Sequence, residues 1–431
     1  MPLLSRGVRK RKFLSYSTAA KATKESRNSS RSEWDLENRE EPLRLLWRPE
    51  TSRTPPPHWY FQREFHGLEK RSNAFRNSWL YVGHAEELRN PGDYIAGNIV
   101  DQPYLVLKDE ENRLRGFLNV CRHHAAELLP KGSGKLPDCD KIVCPYHGWT
   151  YGSTTGRLLR ATRLKGIEEF RASEIGLVPI LVDRFGPLIF INFDASDGSS
   201  SSSSKSSLAE DLKPVQDAMK EHEQQSKQND HSLQFISRKF YPIQCNWKVF
   251  VENYLDGGYH VNHLHPGLNS QLDSSSYTTT CFDRVSLQCC RPKVESKKTT
   301  DDLGVDFSER IGSGSVYAFS YPNFMMNRYG NFLDVNFVIP TGVSSCVVQY
   351  DYFYDFQNSD VPEKDLPEFL ERSLIASDKV QQEDTSICES VQRGLGSLAY
   401  ERHSGRYAPN VEFAMFHFHK LLHEDLSREK S

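Results

Sequence analysis

The chain has 431 residues, of which 37% are hydrophobic and 26% are charged, and its net charge is −3. This size and composition predict a packed core and two domains, and the charge balance gives no reason to expect nucleic acid as a partner. Since no apolar run reaches the roughly 18 residues of a membrane span, and nine irregularly spaced cysteines form no secreted disulfide framework, we expect no membrane segment and a reducing compartment.

The N-terminal region is basic and rich in serine and threonine. Its first 24 residues contain seven Lys or Arg and no acidic residue. This composition is typical of an organellar transit peptide, which would place the mature protein in a chloroplast stroma or mitochondrial matrix. The alternative for residues 1–40 is a disordered basic tail on a cytoplasmic protein. Residues 41–77 are predicted to form a helical or loop extension.

The next region, residues 78–194, is strand-like. Short β-rich runs at 104–107, 115–120 and 188–193 are separated by Gly, Pro and Asp turns, which predicts a small all-β domain. Residues 195–230 begin with an almost pure serine tract and are predicted to be a linker or insertion that is partly helical towards its end.

The last region, residues 231–425, is predicted to contain both strands and helices. Strands are predicted at 335–339 and 346–356, and helices at 367–395 and 411–423. The whole chain is therefore expected to be α+β, with an all-β domain followed by a mixed one.

Two loops of the all-β domain each offer one thiolate and one imidazole. Cys121 and His123 form a C-x-H motif, and after twenty residues Cys144 and His147 form a C-x-x-H motif. Two histidines that replace two cysteines on one iron define the Rieske type of 2Fe-2S cluster. A structural zinc site is the alternative, but zinc fingers pair Cys with Cys and His with His.

A second group of potential metal ligands lies in the mixed domain. Between Glu252 and His265 the chain places three histidines and two carboxylates. Two histidines and one carboxylate are the ligands of mononuclear non-haem iron. His260 and His265 are about 140° apart on an ideal helix, so a shared metal requires a break between them, which Pro266 favours. His263 is the alternative second ligand on spacing alone.

The third ligand is predicted on the helix 367–395. Asp384 shares one helical stripe with Val380, Ile387, Val391 and Leu395. A carboxylate on an apolar stripe needs a buried partner, which is a metal or, alternatively, a salt bridge. The neighbouring Glu383 lies about 100° away and is expected to face outward.

With both ligand groups in place, the sequence resembles the catalytic α subunits of Rieske non-haem iron ring-hydroxylating oxygenases. The resemblance extends over residues 58–425 and is most specific in five segments, namely 246–250, 253–261, 321–330, 388–395 and 416–423. It implies a Rieske domain followed by a helix-grip (START-like) catalytic domain, with His260, His265 and Asp384 as ligands of Fe(II). It favours His265 over His263 and implies a cyclic homotrimer in which each cluster faces the iron of a neighbour.

The resemblance also implies a carboxylate that relays between the two metal centres. In the family it stands three residues before the first histidine, where this chain has Gly257. Asp256 lies four residues before His260, on the same helical face, and is the predicted relay residue. Glu252 is the alternative.

Within the family, the sequence is most similar to plant-type choline monooxygenases. The implied reaction is oxidation of choline to betaine aldehyde (hydrate) with O2 and reduced ferredoxin, the first step of glycine betaine biosynthesis. The alternatives are an oxygenase or demethylase of carnitine or a betaine, and a Rieske electron carrier without activity. One aromatic-rich stretch is a candidate for a cage around the ammonium group, and the alternative, favoured for each residue taken singly, is a core position on a strand. Its members are Tyr317, Phe319, Tyr321, Phe324, Tyr329, Phe332 and Phe337.

Overall fold

The computed structural model describes residue 34 and residues 47–194, 207–226, 232–293, 310, 315–402 and 405–428. The predicted transit segment 1–40, apart from Trp34, and the serine tract 195–206 lie outside the described residues. The transit peptide and the serine-rich linker therefore stay predictions.

The N-terminal extension contains three short helices, α1 (His58–Phe61), α2 (Arg63–Arg71) and α3 (Asn73–Arg76). Glu69 of α2 is buried and lies 2.5 Å from Nζ of Lys248, which is also buried. The indole Nε1 of Trp247 donates to the other oxygen of Glu69 at 3.0 Å. Because a buried charge needs a partner, these contacts fix the extension onto the catalytic domain.

The all-β domain has a seven-stranded antiparallel sheet in the order β1-β10-β9-β4-β3-β2-β5 and a three-stranded sheet in the order β6-β7-β8. All five residues of β10 are buried, which explains its continuous apolar sequence. The predicted run 104–107 lies within β3, and the runs 115–120 and 188–193 overlap β4 and β10, which end at Leu118 and Asn192. The strands are β1 (Leu80–His84), β2 (Asp93–Ile99), β3 (Gln102–Lys108), β4 (Leu114–Leu118), β5 (Gly132–Lys135), β6 (Lys141–Val143), β7 (Thr150–Gly152), β8 (Leu158–Arg160), β9 (Pro179–Phe185) and β10 (Leu188–Asn192).

Two helices follow the serine tract, α4 (Leu208–Asp211) and α5 (Lys213–Ser226). Ser207 caps α4 through a reciprocal pair of hydrogen bonds with Glu210. The partly helical end predicted for the insertion is confirmed.

The catalytic domain is a seven-stranded antiparallel sheet in the order β11-β17-β16-β15-β14-β13-β12. Three helices stand between its first two strands, namely α6 (Trp247–Tyr254), α7 (Val261–Leu264) and α8 (Pro266–Asn269). The strands are β11 (Leu233–Ile243), β12 (Leu272–Cys281), β13 (Val285–Pro292), β14 (Ser315–Ser320), β15 (Phe324–Tyr329), β16 (Phe332–Gly342) and β17 (Ser345–Asp355).

Three helices follow the sheet, α9 (Leu366–Leu395), α10 (Leu398–Arg402) and α11 (Phe413–Arg428). The long α9 packs on α6 and β11, so it places its side chains beside the segment between β11 and β12. The predicted helices and strands of this region are confirmed, as is the α+β class. None of the described helices is long and apolar enough to cross a membrane.

The predicted apolar stripe of α9 is wrong in its details. Ile387 and Val391 are 37% and 41% exposed, whereas Gln381, Cys388 and Gln392 are buried. Gln392 is buried with a partner outside the helix: its side-chain oxygen accepts the backbone N–H of Asn246 at 2.8 Å. Such partners cannot be read from hydrophobic spacing.

A charged network joins the two domains. Arg238 on β11 lies 2.9 Å from Glu87 of the all-β domain and 2.6 Å from Asp351 on β17. The Tyr81 hydroxyl of β1 donates to Asp351 at 2.5 Å. Because Asp351 is fully buried and accepts from both domains, the network fixes one domain against the other.

Candidate functional site

The two cysteine–histidine loops repeat one backbone turn. In each loop the cysteine N–H donates to the carbonyl five residues later at 2.8 Å, and the cysteine carbonyl accepts the N–H four residues later at 3.0 Å. The residue four positions after the cysteine has a positive φ in both loops, 59° at Ala125 and 70° at Gly148. The repeated turn presents Cys121 and Cys144 in equivalent ways.

The four predicted cluster ligands come together at the ends of these loops. Cys121 and Cys144 are buried, and the Nδ1 atoms of His123 and His147 lie 3.1 Å apart. The Tyr151 hydroxyl lies 3.2 Å from the Cys121 sulfur. Two buried sulfurs and two outward imidazoles whose Nδ1 atoms converge fit the asymmetric ligand set of a Rieske cluster.

The histidine segment of the catalytic domain is broken as predicted. It leaves α6 through a turn in which Gly257 and Gly258 have φ values of 71° and 69°. The short α7 then ends at Leu264, the next residue His265 has a ψ of 70° that is not helical, and Pro266 begins α8. This break allows two histidines five residues apart to face one point.

Three side chains meet at that point. Asp384 Oδ1 lies 3.8 Å from His260 Nε2 and 3.0 Å from His265 Nε2. One donor atom from each of the three residues lies within 4.8 Å of the others. His263 is exposed and is not among the three. Two imidazole nitrogens and one carboxylate oxygen at this spacing fit a mononuclear non-haem iron.

Both imidazoles are held by carboxylates on their opposite edges. His260 Nδ1 lies 2.7 Å from Asp256 Oδ2, and His265 Nδ1 lies 2.7 Å from Glu383 Oε2. The outward orientation predicted for Glu383 is therefore wrong: His265 lies against α9 and is contacted by two successive residues of that helix. Adjacent carboxylates at 383 and 384 were the available signal, because metal-binding histidines commonly donate their second nitrogen to a carboxylate.

The surroundings of His265 favour positive charge. Burial by itself lowers the pKa of this imidazole, but the contacts with Asp384 and Glu383 outweigh burial and raise the pKa. The electrostatic environment that stabilises an imidazolium also stabilises a bound divalent cation.

Gly257 has no room for a side chain. A Cβ atom built there would lie 2.2 Å from the carbonyl oxygen of Val411, and the backbone φ of 71° is one that L-residues rarely adopt. The position at which the family has its relay carboxylate therefore cannot hold a carboxylate side chain in this chain. Asp256 is the carboxylate that reaches His260, and it also accepts the backbone N–H groups of Tyr259 and His260.

Glu252, the alternative relay residue, is engaged elsewhere. Its carboxylate accepts from the Tyr60 hydroxyl at 2.6 Å and lies 2.9 Å from His419 Nε2. These contacts connect α6 with α1 and α11, and the structure places Asp256, not Glu252, against a histidine of the metal-ligand group.

A cavity of about 110 Å3 opens beside the three potential ligands. Aromatic side chains from four separate elements line it together with His260, His265 and Asp384; they are Phe250, Tyr254, Tyr277, Tyr317 and Tyr350. Burial raises the pKa of Tyr317 to about 12 and the pKa of the other three tyrosines well above that of a free phenol. The rings are therefore neutral near pH 7 and offer their π-faces and hydroxyl groups.

The aromatic stretch predicted as a cage is only partly correct. Tyr317 lines this cavity, and Tyr329 lines an adjoining one. The other five aromatic residues of that stretch are buried in the core, where Phe324 and Phe337 also pack against Tyr81 of the all-β domain. Tyr254, Tyr277 and Tyr350 were missed because they lie far apart in sequence and meet only across the folded sheet.

The adjoining cavity holds a buried ion pair. Arg310 forms a salt bridge with Asp334, and the Tyr329 hydroxyl contacts both residues. Burial raises the pKa of Asp334 in spite of the nearby guanidinium. The two cavities share part of their lining, including Tyr317 and Tyr350.

Comparison with known proteins identifies two matched families. Residues 78–171 match the Rieske 2Fe-2S domain, and residues 230–427 match the ring hydroxylating alpha subunit (catalytic domain). The chain is 42% identical to a chloroplastic choline monooxygenase of Arabidopsis thaliana, covering 88% of this chain and 84% of that protein. It is 37% identical to the chloroplastic choline monooxygenase of Spinacia oleracea, covering 88% and 79%.

A solved structure is similar over nearly the same range. It is a quaternary ammonium Rieske monooxygenase studied for carnitine oxidation by gut microbiota and for inter-subunit electron transfer, with a TM-score of 0.69 and 26% identity. The match covers 87% of this chain and 96% of that one.

Proposed function

Because the chain belongs to the family of Rieske ring-hydroxylating oxygenase α subunits, we propose that it is a monooxygenase of a small quaternary amine and that its substrate is choline. The observation that carries the proposal is a neutral, tyrosine-lined cavity that opens directly on the three potential iron ligands. The product would be betaine aldehyde (hydrate), from which glycine betaine is made.

The proposed roles of the ligand residues follow from their geometry. Cys121, His123, Cys144 and His147 would hold the Rieske cluster, and the second iron would be held by three residues, His260, His265 and Asp384. When bound, the cluster supplies single electrons and the mononuclear iron supplies activation of O2. The protein's own contribution is to fix the donor atoms and to keep the substrate carbon next to them.

Recognition of the ammonium group would rest on the ring faces of the cavity. A trimethylammonium group donates no hydrogen bond, so cation–π contact is its main source of specific attraction. Tyr254, Tyr277, Tyr317 and Tyr350 provide neutral rings for this contact. The ring of Tyr277 packs against Gly258, which places it next to the segment that carries His260.

The residues that line the cavity also favour choline as the substrate over carnitine or another carboxylated betaine. Among the described residues that line the cavity beside the iron ligands, none is a lysine or an arginine. Arg310, in the adjoining cavity, is already paired with Asp334. A substrate carboxylate would thus lose its hydration without gaining a cationic partner from these residues, whereas a choline hydroxyl can hydrogen-bond to amides such as Asn327.

Asp256 is proposed as the relay residue. Asp256 contacts Nδ1 of His260 and is mostly buried. A partner imidazole on the other side of Asp256 would therefore be connected to His260 by a short, preorganised path. We further propose that the partner is the cluster of a neighbouring subunit in a homotrimer. The inter-subunit electron transfer described for the related quaternary ammonium monooxygenase supports this arrangement.

The electron donor is proposed to be a reduced ferredoxin, because the sequence has no dinucleotide-binding motif of its own. The proposed location is the chloroplast stroma. The basic, acid-free start of the chain and the chloroplastic choline monooxygenases to which it is similar support this location.

The function is tested by supplying the purified chain with ferredoxin, ferredoxin reductase, NADPH and O2. Choline is expected to yield betaine aldehyde, with one O2 consumed per product, and carnitine and glycine betaine are expected to yield little product. Formaldehyde from any of the three substrates would instead indicate demethylation. Absence of betaine aldehyde, with the iron content complete, would contradict the proposed substrate.

A variant of the cavity tests ammonium recognition. Replacing Tyr317 with leucine is expected to raise the KM for choline about tenfold, because a desolvated cation–π contact contributes about 1–2 kcal/mol. Tyr317→Phe keeps the ring and is expected to remain close to the parent chain. Equal KM values for the Leu and Phe variants would show that the ring does not contact the substrate.

A further inference from the structure

Two successive residues of α9 contact one imidazole from its two edges. Glu383 Oε2 lies 2.7 Å from Nδ1 of His265, and Asp384 Oδ1 lies 3.0 Å from Nε2. The His265 side chain is only 1% exposed, so it cannot exchange either contact for water by turning outward. Glu383 is the carboxylate of this group that has no part in the proposed ligand set.

We propose that Glu383 is a positioning residue for the mononuclear metal and acts through His265; the inference rests on the proposed ligand set. An ionised carboxylate only accepts hydrogen bonds, so the ring nitrogen that faces it must carry a proton. A neutral imidazole has a single N–H. Glu383 therefore fixes the tautomer with the proton on Nδ1 and leaves the Nε2 lone pair directed at the metal position beside Asp384.

Glu383 does for His265 what Asp256 does for His260, but from a different part of the fold. Asp256 lies four residues before its histidine and is itself held by two backbone N–H groups of the same turn. Glu383 is 118 residues away from His265 in sequence. It therefore ties the broken histidine segment to α9, the helix that provides the third ligand.

The contact is also expected to strengthen the bond between the metal and His265. A carboxylate on the far nitrogen makes an imidazole more basic and restricts its rotation, and loss of such a partner typically weakens metal binding about 10- to 100-fold. The alternative role is purely structural, an ion pair with a protonated His265 that stabilises the metal-free fold. The two roles differ in whether metal affinity or only stability depends on Glu383.

The test is a metal titration of the full-length chain with its Rieske cluster in place. The mononuclear site is emptied with a chelator, and Co(II) is added anaerobically and followed by its visible absorption. Glu383→Gln and Glu383→Ala are expected to bind Co(II) about 10- to 100-fold more weakly than the parent chain. Glu371→Gln, at an exposed position of the same helix, is the matched control and is expected to bind normally.

The cluster spectrum shows in every sample that the chain is folded. Co(II) binding by both Glu383 variants as tight as in the parent chain would overturn the inference, and so would a lower melting temperature of the metal-free variants without any change in affinity. If the parent chain itself binds no Co(II), the proposed ligand set fails. If the parent chain binds Co(II) and the Glu383 variants bind it equally tightly, the ligand set stands and this inference alone fails.

Discussion

Replacing Asp384 with alanine is expected to abolish choline oxidation while leaving the Rieske spectrum unchanged. Asp384 is the only carboxylate among the three side chains whose donor atoms converge, and its oxygen lies close to the Nε2 atoms of both histidines. Its loss removes the one anionic ligand, so the iron content should fall from about three to about two per chain. Iron analysis and the choline assay on the same preparation measure both effects.

A control is available on the same helix. Asp378 accepts from the Tyr241 hydroxyl at 2.7 Å and pairs with Lys239, so it is an aspartate with comparable contacts away from the histidines. Asp378→Ala is expected to keep the third iron and most of the activity. An Asp384→Ala protein that retained three irons and turned over choline would refute Asp384 as a ligand.

The convergence of the four proposed cluster ligands could be predicted from sequence because their geometry is local. Cys121 and His123 are two residues apart, Cys144 and His147 three apart, and each pair lies in one tight turn. The spacing alone therefore restricts which atoms can face one metal. The strand β10 could also be predicted from sequence, because a strand that is buried on both faces has a nearly continuous apolar sequence.

The parts that sequence reasoning missed depend on contacts between distant elements. The helical angle of Glu383 predicts an outward side chain, yet the Glu383 carboxylate contacts His265. The tyrosines of the cavity come from α6, β12, β14 and β17, whose proximity is a property of the folded sheet. The apolar stripe of α9 failed for the same reason, since Gln392 is buried by a backbone partner on another element.

Replacing Asp256 with asparagine is expected to lower turnover about 100-fold, even when the mononuclear site has been saturated with iron and the cluster is in place. The substitution keeps the size of the side chain but removes the charge that faces His260 Nδ1 at 2.7 Å. If Asp256 carries the connection between the centres, the slow step becomes electron arrival at the iron. A chain with its cluster reduced in advance, mixed with choline and O2, should then recover its oxidised cluster absorbance far more slowly than the parent.

This measurement separates relay from positioning, because the Nδ1 atom of each imidazole has its own carboxylate partner, Asp256 for His260 and Glu383 for His265. Glu383→Gln removes the charge behind His265 and should weaken metal binding, but once the site is saturated with iron the cluster should reoxidise at close to the parent rate. Asp256→Asn should remain slow even at saturation. Glu252→Gln, which perturbs the contacts with Tyr60 and His419, should affect stability and leave reoxidation unchanged. A normal rate of cluster reoxidation in the Asp256 variant would mean that Asp256 only positions His260. The path between the centres would then have to run through another group.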